Sequence, residues 1–398
     1  MTITSMQALL KAGEVDKARA RAESVLSTNK NHRDALLTLA KLASVDGDWA
    51  RAEELLNRAT KDGVEDTDSR LVRAALASEK GDLDGARALY TQVILESTQN
   101  PRAEAHFGLG FLLAAEEDFP GARKSLQRAV ELEPEVAAYR FHLARILFAL
   151  EELKLALPQL EKALELNPLH PPTYVIWSVV LQQLGEMETA ENLLRQGLKL
   201  IPDHPELLNQ LGAVLAARGN VSESYSLAKR LAVQFPDDAS MQGNLARMMM
   251  ATGHRQEALD VCRSLAHRGL STAQTKSIEA MVLESMEPPD IEGAVSAWRE
   301  AMDLDPNDWA CANNLGNLLM RWEEGNADER LTAAAEILEE ALRRAPSRAE
   351  PLLNLALVTA RRGDKAKAQA LARDVLKKAP AGEKELREQA ERLIKTLG

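Results

Sequence analysis

The chain has 398 residues and a formal net charge of −11, and it is 45% hydrophobic but only 4% aromatic. That acidity excludes a general nucleic-acid binder, whose footprint is basic, and it discourages contact with an anionic membrane surface. Two cysteines, Cys262 and Cys311, cannot build a disulfide framework, and a core so poor in aromatics must be made of aliphatic side chains and alanine.

The predicted elements begin with a weak apolar segment, Ile3 to Ala12, that leads into a turn of the type Gly-Asp/Glu-x-x-x-Ala at Gly13-Glu14…Ala18. The same turn returns at Gly47…Ala52, Gly81…Ala86, Gly185…Ala190, Gly253…Ala258 and Gly363…Ala368, with Ala122, Ala156, Ser224, Ala294 and Ala334 holding the alanine place in looser copies. From Ala18 to Ala368 the spacings are 34, 34, 36, 34, 34, 34, 34, 36, 40 and 34 residues. A fixed period of that length means one supersecondary unit stacked on itself.

Within one unit, Ala137 to His170, Leu143, Ala144 and Leu147 recur at helical spacing, Glu151-Glu152 turns the chain, and Leu153, Ala156, Leu160 and Ala163 form a second stripe. Pro168 ends that second helix, as Pro134, Pro202, Pro236, Pro306, Pro346 and Pro380 do elsewhere. Small residues stand where helices must approach: Ala40, Ala74, Gly110, Ala144, Gly212, Ala246, Gly316 and Ala356 in first helices, Ala59, Ala129, Ala163, Ala301 and Ala341 in second helices. The longer spacings place two extra residues in each of the loops Ser97–Pro101 and His267–Ala273, and six in a surface turn between Arg321 and Ala334 that carries Trp322. A last amphipathic segment, Glu383–Leu397, is expected to cap the final unit.

This period, with its small first-helix residue, second-helix alanine and closing proline, resembles the tetratricopeptide repeat family. The resemblance implies an all-α right-handed superhelical solenoid of about eleven helix-turn-helix repeats, spanning 1–380, with a capping helix over 381–398. It departs from the family's pattern in having mostly Leu, Met or Ala at the large aromatic sites, although Tyr174 and Trp298 remain. It also implies that one face of the first helices lines a concave groove in which a protein or peptide partner lies.

On that face the fourth and fifth units present Phe107, Phe111, Phe141 and Phe148 with His142 and Arg145 among them, four of the chain's six phenylalanines. They are read as apolar anchors for a partner, with packing of the rings between first helices as the alternative. Further along, Asn209, Gln210, Asn244, Asn313, Asn314, Asn317 and Asn354 form an amide row able to hold the backbone of an extended peptide. The row is similar to the asparagine ladder of O-linked N-acetylglucosamine transferases, with Ile176 and Ala280 as interruptions. Met250, Met286 and Met320 are read as one stripe at a shared inner place, suited to an irregular apolar ligand. A clamp for a partner's C-terminal carboxylate is not expected, because the lysines beside Asn317, Asn354 and Arg361 are missing.

No catalytic constellation is expected, and no cofactor or metal. The histidines form no His-x-x-x-His pair, there is no Cys-x-x-Cys, and Gly108-Leu109-Gly110 lies inside a helix without the lysine of a phosphate loop. The acid pairs Glu116-Glu117, Glu151-Glu152 and Glu323-Glu324 fall at interhelix turns. Met1 to Met6 carries no basic leader and no apolar run approaches ~18 residues, so the expected setting is cytoplasmic without membrane insertion. Arginine makes up 31 of 49 basic residues, a bias associated with GC-rich bacterial genomes. The functional expectation is a non-catalytic scaffold or adaptor. The alternatives are a regulatory or substrate-recruiting subunit of a separate enzyme such as a glycosyltransferase, a chaperone for secreted or assembling subunits, or a self-assembling array.

Overall fold

The computed structural model describes residues 5–11, 13–60, 65–380 and 382–398, and among these it contains 23 α-helices and no strand. The chain forms two compact units, 1–214 and 215–398. In the first, the helix pairs are α1 (Met6–Lys11) with α2 (Val15–Thr28), α3 (Arg33–Val45) with α4 (Trp49–Ala59), and α5 (Thr67–Glu79) with α6 (Leu83–Glu96). They continue as α7 (Ala103–Ala115) with α8 (Phe119–Leu132), α9 (Ala137–Ala149) with α10 (Leu153–Leu166), and α11 (Pro171–Gln183) with α12 (Met187–Leu200). The unit ends within α13 (Pro205–Ala217).

The second unit holds α14 (Val221–Gln234), α15 (Ala239–Ala251) with α16 (Arg255–His267), and α17 (Ala273–Ser285) with α18 (Ile291–Leu304). Then come α19 (Trp309–Arg321) with α20 (Ala327–Arg344), α21 (Glu350–Arg361) with α22 (Lys365–Lys378), and α23 (Lys384–Leu397), which packs on α22 and α21. Of the predicted opening segment, Ile3 and Ala12 lie outside the described residues.

The recurring turn has a physical cause at each of its places. Gly47 and Gly81 sit at φ 78° and 83°, in the left-handed region that ends a helix. The next residue caps the following helix: the carboxylates of Asp48, Asp82, Asp118 and Asp364 accept from the backbone N–H of Arg51, Gly85, Gly121 and Lys367. The alanine four residues later is the contact point between helices, and all eleven residues at that place are 2% exposed or less. In two of the looser copies, Glu117 and Glu151 take up the positive φ in place of glycine.

Close approach also explains the glycines inside α7. A Cβ on Gly108 would fall 2.2 Å from the Tyr90 ring, and one on Gly110 would fall 2.8 Å from Leu126 Cγ. Gly108→Ala is therefore expected to destabilise the N-terminal unit by about 1–3 kcal/mol, the usual cost of overpacking. Adding Tyr90→Leu, which removes the clashing end of the ring, should make the double variant less destabilised than the sum of the two single changes in urea melts. Simple additivity would place the cost of Gly108→Ala elsewhere.

The two longer spacings of the C-terminal unit differ from expectation. The step from α15 to α17 is a plain 34 residues, whereas α16 to α18 takes 36, so the two extra residues lie between α17 and α18 rather than in His267–Ala273. The six extra residues before Ala334 are not all loop: α20 is 18 residues long, and its added first turn absorbs four of them. An extra helical turn keeps its own hydrogen bonds, which a longer loop would leave to solvent.

Consecutive helices pack from α1 to α12 and from α14 to α23. In the N-terminal unit α3, α5, α7, α9 and α11 also touch one another in succession, and in the C-terminal unit α15 touches α17, α19 touches α21 and α21 touches α23. Odd-numbered helices thus form an inner layer, with the even-numbered ones outside it. The face that the inner layer offers in the N-terminal unit is where the candidate site lies.

Candidate functional site

His142 on α9 is the hub of an aromatic cluster. Its ring meets Phe107 at 5.2 Å, Phe111 at 5.7 Å and Phe141 at 5.3 Å between centroids, each nearly edge-on. Phe107 also packs on Tyr139 at 4.8 Å and Phe141 on His170 at 4.8 Å, while the Arg145 guanidinium lies 5.9 Å from the centre of the Phe141 ring. The spacing of one repeat makes this possible, since Phe107 and Phe141 hold the same place in successive first helices, as do Phe111 and Arg145.

The predicted residues do not share one environment. Phe111 is 46% exposed and Phe107 half-buried, both on a groove of about 470 Å³. Phe141 is 9% exposed, and Phe148 packs against the core made by Leu143, Leu147 and Leu160. Those two rings hold the layer together, and Phe111 is the one that faces outward. Tyr139 and His170 belong to the cluster although the sequence reading passed over them; both stand next to a first-helix start, away from the i, i+4, i+7 stripe it followed.

Burial, and then the charge of Arg145, lowers the His142 pKa to about 4, so the ring is neutral at ordinary pH. His170 is lowered too, by burial. The same burial raises both thiols, Cys262 and Cys311, to about 12, which keeps them protonated and poorly nucleophilic. Among the described residues no group of three His, Cys, Asp or Glu could hold a metal ion.

In the C-terminal unit the amide row is partly self-satisfied. Asn354 Nδ2 donates to Asn313 Oδ1 at 2.9 Å, between α21 and α19, and Asn244 Oδ1 accepts from Arg247. Arg361 Nη1 donates to the Met320 carbonyl at 2.5 Å, capping the end of α19. Asn314 and Asn317 are half-buried on the same helix, and in the N-terminal unit so are Asn209 and Gln210. The methionine stripe needs correction. Because the extra residues follow α17, the residue at the place of Met250 and Met320 is Glu284, and Met286 instead stands past the end of α17. Met320 is 6% exposed and part of the core.

Comparison with known families draws these features together. The family described as Cilia and flagella-associated protein 70 C-terminal domain matches residues 56–281, more than half of the chain. Tetratricopeptide repeat families match 9–78 and 327–383. The chain belongs to the tetratricopeptide repeat family. Its fold is the all-α tetratricopeptide solenoid, a scaffold type of architecture.

Among solved structures, yeast Tom70 is 14% identical, with a TM-score of 0.60 over 98% of this chain and 94% of that one. A tetratricopeptide repeat protein from Parabacteroides merdae is 18% identical, with a TM-score of 0.57 over 64% of this chain and 99% of that one. Human IFIT1, solved as a dimer with m7Gppp-AAAA, is 16% identical, with a TM-score of 0.51 over 94% of this chain and 88% of that one. At such identities the likeness is one of fold. No curated protein sequence matches the chain. Among the described residues of this tetratricopeptide array, no helix is long and apolar enough to cross a membrane.

Proposed function

We propose that the protein is a non-catalytic interaction scaffold, and that the inner face of its N-terminal unit holds an apolar segment of a partner protein. The observation that carries this reading is Phe111, an aromatic ring 46% exposed on a groove whose neighbouring rings are already packed against His142. A ring kept half in water beside a formed cluster is preorganised for a partner, which gains its burial without ordering the site. Phe107, Phe111, His142 and Arg145 are the residues assigned to contact, with Phe141 supporting them from beneath. In this reading α23 closes the apolar end of α21 and α22.

The alternative roles drew on the amide row and the methionines. With Asn354 bonded to Asn313, Met320 in the core and Met286 out of register, those residues lend little support to a glycosyltransferase-recruiting subunit or a chaperone. An acidic surface likewise favours a protein partner over a nucleic acid.

The test is affinity capture from native lysate with wild type and Phe111→Ala as baits, read by quantitative mass spectrometry. Phe111 is the clean choice because Phe141→Ala would also open the core. Loss of the remaining exposed ring area is expected to weaken a specific partner by about 1–2 kcal/mol, roughly five- to thirtyfold. An identical set of partners at identical recovery would remove Phe111 from the binding surface.

A further inference from the structure

The 470 Å³ groove does not stop at the aromatic cluster. It runs on over α5 and α3, where its floor is Leu71, Val72, Leu37 and Leu42. The charged groups lining it are Asp34, Asp46, Asp68, Glu79 and Glu104 against a single cation, Lys41. Asp34, Asp68 and Glu104 are each the second residue of their helix, one repeat apart, so the groove carries a carboxylate row along one edge.

A helix N-terminus welcomes an acid, and that alone explains the row. It does not explain Glu79, which is the last residue of α5 and therefore faces the negative end of the helix, nor Asp46 just past the end of α3. Asp46 is held by Arg19 at 2.7 Å and Asp68 by Arg102 at 2.6 Å. Glu79 has no ion pair among the described residues. Among the described residues Asp34 has only its neighbour Arg33, at 3.8 Å, and Glu104 only Arg102 at 3.5 Å and Lys41 at 3.7 Å, all beyond good hydrogen-bond distance. Lys41 reaches Glu104 from two repeats away, so an ammonium group of the chain already lies across the groove.

Two further observations point the same way. The Ser44 hydroxyl, on a residue 2% exposed that lines the groove, has no hydrogen-bond partner among the described residues. The phenols of Tyr90 and Tyr139, both on the lining, are pushed up by burial and then by Glu104.

We infer that this groove takes a basic amphipathic segment of the partner protein, with its lysines or arginines on Asp34, Glu79 and Glu104 and its apolar side against Leu37, Leu71 and Phe111. The inference rests on the scaffold reading above and adds the chemistry of the partner. Charge complementarity at the rim supplies selectivity, and the apolar floor supplies the contact area.

The experiment uses the full chain and three labelled synthetic amphipathic peptides with one shared leucine pattern, whose polar faces are all Lys, all Gln or all Glu. Binding is read by fluorescence anisotropy. The Lys peptide is expected to bind about tenfold or more tighter than the Gln peptide, and the Glu peptide weakest, with the difference shrinking as salt rises. The groove variant Asp34→Asn/Glu79→Gln/Glu104→Gln should erase that preference. The control Glu292→Gln/Glu385→Gln/Glu391→Gln, which removes the same charge from exposed positions of the C-terminal unit, should retain it. Circular dichroism spectra matching wild type establish that both variants are folded.

If Lys and Gln peptides bind alike and Phe111→Ala weakens both, the basic partner is overturned while the scaffold reading stands. If no peptide binds, both fall. An equal loss in the control variant would reduce the effect to the overall charge of −11 and overturn the groove assignment.

Discussion

Replacing Trp298 by alanine is expected to cost the C-terminal unit about 3–5 kcal/mol, the range for removing a fully buried large aromatic side chain. Trp298 on α18 is 2% exposed and is the largest fully buried side chain of the described residues. Its indole nitrogen donates to Glu284 Oε1 at 2.8 Å, and the other oxygen of that carboxylate accepts from Arg321 at 3.1 Å. One side chain thus ties α18 to the ends of α17 and α19, and its loss leaves both a cavity and a carboxylate short of a donor. Because repeats stabilise one another only through their neighbours, the damage should be local. Urea melts should show an early transition, and hydrogen exchange should speed up in α17–α20 while α7–α10 keep their wild-type rates. Trp298→Phe retains most of the packing and isolates the hydrogen bond, at about 1 kcal/mol. A Trp298→Ala protein that melts with wild type would show that this core repacks freely around the missing ring.

How much of this was legible in the sequence follows the range over which each feature is determined. The Gly-Asp-x-x-x-Ala turn was fully legible, since its glycine, cap and buried alanine all act within a few residues of one another. The proline stops were legible for the same reason: Pro134, Pro168 and Pro202 each stand two residues past a helix end. The insertion at Ser97–Pro101 falls where expected, but the two of the C-terminal unit were not legible, because a 36- or 40-residue step has the same length whether it enlarges a loop, falls on the other side of a helix or adds a turn to α20. That ambiguity misplaced Met286.

The candidate site was half legible. Phe107, Phe111 and Phe141 do meet on His142 while Phe148 packs against the core, yet only the positions of Tyr139 and His170 decide that Phe141 is sealed and Phe111 left in water. Exposure within a shared helix face depends on the side chains of the next repeat, which period alone does not rank. The carboxylates at 34, 68 and 104 recur at repeat spacing, but as first-turn acids they carry no signal of a site by themselves. Glu79, set against its own helix dipole, gives them another meaning.

The neutral His142 makes the site pH-sensitive, and the sign is fixed by its surroundings. Burial lowers its pKa from 6.5 in the open chain to about 4 in the folded protein, so below 6.5 the unfolded chain binds the proton that the folded one refuses. Stability from this group is complete above pH 6.5, falls as the pH drops toward 4 and is gone below that. At about 1.4 kcal/mol per unit the loss amounts to up to about 3 kcal/mol, a large share of the stability of an ordinary domain. Urea melts of wild type and His142→Phe across this range separate the effect from the other titrating groups. Phenylalanine keeps an aromatic ring among Phe107, Phe111 and Phe141, so the variant should match wild type near neutral pH and lose less on acidification. Equal pH slopes would mean that water reaches the imidazole and that the cluster is not sealed. A partner covering Phe111 would bury His142 further, and cations on Glu104 would add positive potential above it. Acid should therefore release a bound segment as the pH falls to about 4 and below, where the free folded protein takes up the proton that the bound one refuses, and a peptide whose affinity stays flat through that range would place its contacts away from this cluster.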